Sequence, residues 1–135
     1  MVLSKMMHVS DIKRNHEIES IGDLNAILAK RYENESNGFW LSHESAEYPM
    51  LGVFVKKDLA YLHYIPAEYD AGFASVGGAC DLPTGETTRF PMSVHEGDDI
   101  FVRNEAVIPV SVAFCAVRDF FSSRELPNCV EWKRL

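Results

Sequence analysis

The chain has 135 residues, of which 47% are hydrophobic and 11% aromatic, a composition that is typical of a folded globular protein and excludes disorder. We interpret residues 1–135 as a single domain, large enough to fold without a disulfide or a metal ion. The net charge of −7 is confined to the segment from Glu44 to Glu105, which holds eleven acidic and four basic residues, and this disfavours nucleic acid as a partner.

The beginning of the chain and its cysteines indicate a cytoplasmic protein. The first residues contain no apolar core of a signal peptide, and no apolar run reaches the roughly eighteen residues of a membrane span. Cys80, Cys115 and Cys129 are widely spaced and odd in number, which favours free thiols in a reducing compartment. We therefore expect a cytoplasmic protein that makes no contact with a membrane.

The first element predicted along the chain is a helix that begins after Ser20. Ser20 is a favourable cap, and Asp23 follows three residues later as in a weak capping box. Apolar residues then recur at helical spacing: Ile21, Leu24, Ile27, Leu28 and Tyr32. Residues 34–38 are turn-forming and end the helix. Residues 1–17 are interpreted as a loosely ordered N-terminal extension or an edge strand.

Strands follow this helix. Residues 50–55 and 59–65 flank the charged tip Lys56-Lys57-Asp58 and predict a β-hairpin. Both alternating sets of side chains in these strands are largely apolar, which is typical of the middle of a sheet whose two faces are partly covered. Shorter strands are predicted at residues 39–41, 72–76, 87–90 and 99–103.

A second helix is predicted to begin at Pro109, whose missing N–H is no loss in a first turn, and to end near Ser123. Its buried stripe is Val110, Ala113, Phe114, Val117, Phe120 and Phe121. Truncating Phe114 to alanine is therefore expected to cost about 3–5 kcal/mol. Residues 130–132 are expected to form an extended tail on the sheet. The fold class is α+β, an antiparallel sheet with an N-terminal and a C-terminal helix packed on it.

An enzyme would need a nucleophile, a metal site or a cofactor loop, and Cys80 is the candidate nucleophile. A Cys–His pair with His63 or His95 is conceivable, but the residues around Cys80 match no catalytic context. The histidines and cysteines lack the spacing of metal ligands, and the zinc deaminase signature is absent. Gly77-Gly78 is too short for a phosphate loop. We expect a non-enzyme without metal or cofactor.

Aromatic side chains lie among carboxylates in the acidic segment: Tyr48, Tyr64, Tyr69 and Phe73. This mixture is typical of an interface in which aromatic residues anchor the partner and acids steer it. The predicted partner-binding residues are Glu44, Glu47, Tyr48, Glu68, Tyr69, Asp70, Asp81, Asp98 and Asp99. Tyr69 is the preferred anchor because residues 66–72 have the composition of an exposed loop. The alternative is that the tyrosines pack in the core and the acids only solvate the surface.

Two regions carry a resemblance to a known family. The first comprises Phe39-Trp40-Leu41, Tyr48-Pro49-Met50-Leu51 and residues 59–64; the second comprises Pro109, Ala113, Ala116, Phe120-Phe121, Pro127 and Trp132. At these positions the chain resembles the Imm-one family of bacterial polymorphic-toxin immunity proteins, and within it those that guard against double-stranded-DNA cytosine deaminase toxins. The resemblance covers most of residues 18–135 and implies no catalytic residues. Residues 1–15 and 81–98 have no counterpart in it.

The resemblance implies an immunity protein that binds a cognate antibacterial toxin and blocks its active site. A toxin that acts on DNA needs a basic groove for phosphates, and an acidic protein suits such a groove. The alternative is an acidic adaptor or chaperone-like protein for another basic partner. A third hypothesis is a small enzyme that uses Cys80.

Overall fold

The computed structural model describes residues 6–77, 80–93 and 97–135. In these residues the strands are β1 (Met7–Asp11), β2 (Asn15–Ile18), β3 (Ser36–His43), β4 (Met50–Lys56), β5 (Leu59–Ile65), β6 (Phe73–Val76), β7 (Thr87–Pro91), β8 (Asp99–Arg103), β9 (Ile108–Pro109) and β10 (Glu131–Arg134). The α-helices are α1 (Ile21–Leu28) and α2 (Val110–Ser123), with short 3-10 turns at Glu33–Glu35 and Asn104–Ala106. The predicted α+β class, an antiparallel sheet with an N-terminal and a C-terminal helix, is confirmed.

The strands form one large antiparallel sheet and one small two-stranded sheet. The large sheet has the order β10-β6-β5-β4-β3-β1-β2, with β9 also paired to β5. The predicted hairpin is confirmed as β4 and β5, in a register that places Val53 opposite Leu62. The hairpin lies in the middle of the sheet, as its apolar side chains on both faces predict.

The N-terminal strands extend the large sheet beyond β3. β1 pairs with β3, where Val9 faces Leu41, and β2 pairs with the other edge of β1. Residues 1–17, interpreted above as an extension or an edge strand, therefore contain β1 and most of β2, while residues 1–5 lie outside the described part of the chain. The assignment of residues 1–135 to one domain stays a prediction.

Helix α1 begins as its sequence predicts and ends one turn early. The hydroxyl of Ser20 accepts a hydrogen bond from the Asp23 N–H at 3.1 Å, which caps the helix. The helix ends at Leu28, so the predicted membership of Tyr32 is wrong. The Tyr32 hydroxyl instead donates to Asp11 in β1 at 3.0 Å, and this contact ties the segment after the helix to the sheet.

Both helices pack on one face of the large sheet, which we call the covered face. Side chains buried here include Met7, Val9, Phe39, Leu41, Leu51, Val53, Leu62, Ala113, Val117 and Phe120. Phe120 is fully buried, and its ring centroid lies 4.9 Å from that of His43 and 6.1 Å from that of Tyr64. Phe120 therefore links α2 to β3 and β5.

The stripe predicted for α2 is confirmed at Ala113, Val117, Phe120 and Phe121, which are all buried. Val110 and Phe114 are exceptions, because both are only half-buried, and the guanidinium carbon of Arg31 lies 5.6 Å from the Phe114 ring centroid. The loss of about 3–5 kcal/mol that was expected for Phe114→Ala is therefore expected for Phe120→Ala instead.

The small sheet covers part of the opposite face of the large sheet. Phe90 of β7 and Val102 of β8 pack against Phe54 of β4. The two layers approach so closely that a Cβ on Gly38 would lie 3.0 Å from the Pro91 carbonyl oxygen. Glycine at position 38 therefore lets the β7–β8 hairpin lie directly on β3.

The predicted C-terminal tail forms β10, which pairs with β6. The Trp132 indole N–H donates to the Pro127 carbonyl at 2.6 Å, and its ring packs against Tyr64 on the covered face. The tail is thus the edge strand on one side of the large sheet.

Candidate partner-binding surface

Two acidic loops lie at the same end of the large sheet. Residues 44–49 join β3 to β4, and residues 66–72 join β5 to β6. Because these four strands are antiparallel neighbours, both loops emerge from the same end, which we call the acidic end. Glu44, Glu47 and Glu68 are exposed there, and Tyr48 is half-buried before a cis peptide bond to Pro49.

Tyr69 projects from the second of these loops. Its side chain is 98% exposed, and its φ of +65° places the residue in the left-handed region that non-glycine residues rarely adopt. A strained backbone persists only where its surroundings hold it, and such positions cluster at functional sites. Tyr69 combines this backbone conformation with an almost fully exposed ring, which makes it a candidate contact residue on this end.

Asp70 holds the loop that carries Tyr69. Its carboxylate accepts a hydrogen bond from the Gly72 N–H at 2.7 Å and forms an ion pair with Arg134 of β10 at 2.8 Å. The Arg134 guanidinium and the Gly72 N–H keep the pKa of Asp70 below its ordinary value. Asp70 is thus ionised but already paired, so it contributes less free negative charge than its neighbour Glu68.

The remaining predicted residues lie at the other end of the sheet. Asp81 follows β6 and lines a cavity of about 200 Å³ with Asn104 and Glu105. Asp99 begins β8, pairs with Arg89 at 3.5 Å, and borders a groove next to Lys13. Asp98 is exposed beside it. The predicted residues therefore form two groups, and Asp81, Asp98 and Asp99 are not brought together with the acidic end.

Tyr64 does not belong to the surface. It is buried on the covered face between Phe120 and Trp132, and burial together with the nearby Glu125 raises its pKa. The interpretation of Tyr64 as one of the surface aromatics is therefore wrong, and its packing role is the alternative considered from the sequence. Phe73 is half-buried, with the Arg134 guanidinium carbon 4.8 Å from its ring centroid.

A second surface next to the acidic end was not predicted. On the face opposite the helices, six positions of β3, β4 and β5 lie nearer the acidic end than Gly38 and Phe54 do: Trp40, Ser42, Met50, Gly52, His63 and Ile65. Trp40 packs at the edge of the small-sheet cluster, against Phe54, and the other five are not part of that cluster. We call these six residues the open face. The sequence contained a signal for this surface, because β4 and β5 carry apolar side chains on both faces, and the face opposite the helices must also be covered by other residues or by a partner.

Cys80 has the environment of a packing residue. Burial and the nearby carboxylate of Asp58 raise the pKa of its thiol, whereas a nucleophilic cysteine needs a lowered pKa. The cavity beside Cys80 is lined by no histidine among the described residues. His63 lies on the open face, where its Nε2 donates to the Ala71 carbonyl at 2.8 Å. His95, the other predicted partner, lies outside the described residues.

Metal binding and membrane insertion find no support in the described residues. No cluster of three or more histidine, cysteine or acidic side chains suited to a metal ion occurs in residues 6–77, 80–93 and 97–135. In the same part of the chain, neither helix combines the length and the apolar character that crossing a membrane requires.

Exposed carboxylates thus occur at both ends of the large sheet, and the exposed ring of Tyr69 lies with those of the acidic end. No family model matches the chain. It is similar to a double-stranded DNA deaminase immunity protein of Burkholderia cenocepacia (strain H111), with 25% identity over 129 residues that cover 96% of this chain and the whole of that relative. The predicted resemblance to immunity proteins that guard against double-stranded-DNA deaminase toxins is confirmed by this relative.

Proposed function

We propose that this protein is a cytoplasmic immunity protein that binds a double-stranded-DNA cytosine deaminase toxin and blocks its active site. The observation that carries the proposal is the similarity to a named immunity protein along 96% of the chain. The acidic end supports it, because the DNA-binding groove of such a toxin is basic and would attract exposed carboxylates. On this proposal the chain performs no catalysis of its own.

The proposal predicts that a reading frame next to the gene for this chain encodes a deaminase toxin domain, and it is tested by expressing that domain in a bacterium, with and without the chain. We expect the chain to restore growth and to return the frequency of C·G to T·A mutations to the background level. A deaminase toxin from another toxin–immunity pair serves as the matched control and should not be neutralised. Unchanged killing by the adjacent toxin would contradict the proposal.

The alternative of a general acidic adaptor predicts a different pattern. An adaptor that recognises basic proteins through charge would bind several unrelated basic partners with similar affinity. An immunity protein gains its specificity from anchors such as Tyr69 and should discriminate between two toxins of similar charge. Neutralisation of both toxins in the same assay would favour the adaptor.

The acidic end is expected to control how fast the toxin is captured. Replacing Glu47 and Glu68 with glutamine removes two exposed charges and should slow association by about 3- to 10-fold at low salt, with little change in dissociation. The dependence of the association rate on ionic strength should also become flatter. Stopped-flow or biosensor kinetics across a salt series measure both effects.

The matched control is the double variant Asp81→Asn and Asp98→Asn. It removes the same charge from exposed residues at the other end of the sheet. If the toxin is captured at the acidic end, this control should retain most of the wild-type rate. Equal slowing by the two double variants would mean that net charge alone, and not its position, guides the encounter.

A further inference from the structure

We propose that the toxin is seated on the open face, with the indole of Trp40 as the central contact and the acidic loops as its rim. This inference deepens the proposed function, on which it rests, because it names the surface that the toxin covers.

The open face is built around Trp40. The register places Trp40 of β3, Gly52 of β4 and His63 of β5 side by side. A Cβ on Gly52 would lie only 2.7 Å from the Trp40 ring, so the absence of a side chain at position 52 lets the indole lie across β4. The ring centroid of Phe54 lies 5.6 Å from that of Trp40 at an interplanar angle of 85°, which fixes the indole at one edge.

The composition of the open face is that of the centre of an interface. Its second row, formed by Ser42, Met50 and Ile65, lies next to the first and nearer the acidic end. None of the six residues carries a fixed charge, whereas the loops that adjoin them carry Glu44, Glu47 and Glu68. An aromatic and apolar centre with a charged rim is the arrangement that protein interfaces favour, and tryptophan is enriched among their hot spots.

Within residues 6–77, 80–93 and 97–135, the β7–β8 hairpin covers the other part of this sheet face, and its cluster meets the open face at the edge of Trp40. The β7–β8 hairpin packs on Phe54 and comes against Gly38, and both positions lie farther from the acidic end than Trp40 does. The open face is continuous with the acidic loops, since Met50 directly follows the first loop and Ile65 directly precedes the second. A basic toxin that contacts the acidic loops can therefore contact the open face at the same time.

The two tryptophans of the chain allow a direct test. Trp40 lies on the open face, whereas Trp132 is held on the covered face by its hydrogen bond to Pro127. Two single-tryptophan variants, Trp132→Phe and Trp40→Phe, are titrated with a catalytically inactive form of the deaminase that the chain neutralises. The deaminase is labelled with 4-fluorotryptophan, which is almost non-fluorescent, so that the observed emission comes from the chain. We expect binding to protect Trp40, but not Trp132, from acrylamide quenching.

Affinity gives an independent readout. Trp40→Ala should weaken binding by about tenfold or more, as for an interface hot spot. The matched control is Phe101→Ala, which removes another exposed aromatic ring, 68% exposed, from the outer side of the β7–β8 hairpin. The control should bind as the wild type does. Circular dichroism and urea unfolding of each variant establish that it is folded.

The outcomes separate this inference from the function on which it rests. If no deaminase is neutralised, the proposed function fails. If a deaminase is neutralised while Trp40 remains as accessible to acrylamide as in the free protein, the toxin sits elsewhere and this inference alone is overturned. Greater loss of binding with Phe101→Ala than with Trp40→Ala, or a dimer of the chain that protects Trp40 before toxin is added, overturns it too.

Discussion

Replacing Phe120 with alanine is expected to lower the free energy of unfolding by about 3–5 kcal/mol, the range for large aromatic truncations in a core. The ring is fully buried where α2 meets β3 and β5, and it contacts the rings of His43 and Tyr64. Its removal takes away apolar burial and leaves a cavity between elements that cannot readily close around it. Urea unfolding of the two proteins measures the difference, with an unchanged dependence on urea as evidence that the same transition is followed.

Phe114→Ala provides the matched control for this experiment, since it removes the same side chain from the same helix. Phe114 is half-buried and contacts the guanidinium of Arg31 at the edge of the core. Its truncation should cost less than about 2 kcal/mol, within the ordinary range for single substitutions. Equal losses for the two variants would show that α2 is not oriented on the sheet as described.

Replacing Tyr69 with alanine is expected to weaken toxin binding by about 2 kcal/mol, a loss of roughly thirtyfold, mainly through faster dissociation. The ring is 98% exposed, so its removal should leave the free energy of unfolding unchanged within about 0.5 kcal/mol. The loop is held by Asp70 and Arg134 in the free protein, so little ordering is needed when the partner arrives. Biosensor kinetics measure the dissociation rate, and the growth assay measures protection.

Tyr69→Phe is the control, because it retains the ring and removes only the hydroxyl. It should keep most of the wild-type affinity if the ring is the anchor. A dissociation rate for Tyr69→Ala that matches the wild type would remove the loop from the interface, and the strained backbone at this position would then need another explanation.

The elements predicted best from the sequence are those that depend on local patterns. The β4–β5 hairpin has two apolar strands around a charged tip, and α2 combines an initial Pro109 with a regular stripe. The N-terminal strands were harder to predict, since β1 and β2 are short and expose polar residues such as His8 and Glu17 on one side. The pairing of β1 with β3 depends on contacts between residues that are distant in sequence.

The candidate surface was predicted only in part, because it also depends on contacts between residues that are distant in sequence. The loop with Tyr69 has turn-forming composition and was expected to be exposed, and the structure places it so. Tyr64 was grouped with it, although alternation along β5 puts Tyr64 on the same face as Leu62 and hence under α2. Trp40 and His63 could not be assigned from the sequence, because the extent of the sheet face left open depends on where the β7–β8 hairpin docks.

The contrast between Gly52 and the acidic loops has a consequence for redirecting the protein to a new target. Residues 44–49 and 66–71 include no buried side chain, so all of them except Asp70, which holds its loop to Gly72 and Arg134, could be exchanged for other residues at small cost to folding. Position 52 offers no such freedom, because any side chain there would displace the indole of Trp40. A library of variants that changes the two loops and keeps Gly52 would therefore test new binding specificities while the position of Trp40 on the open face stays the same.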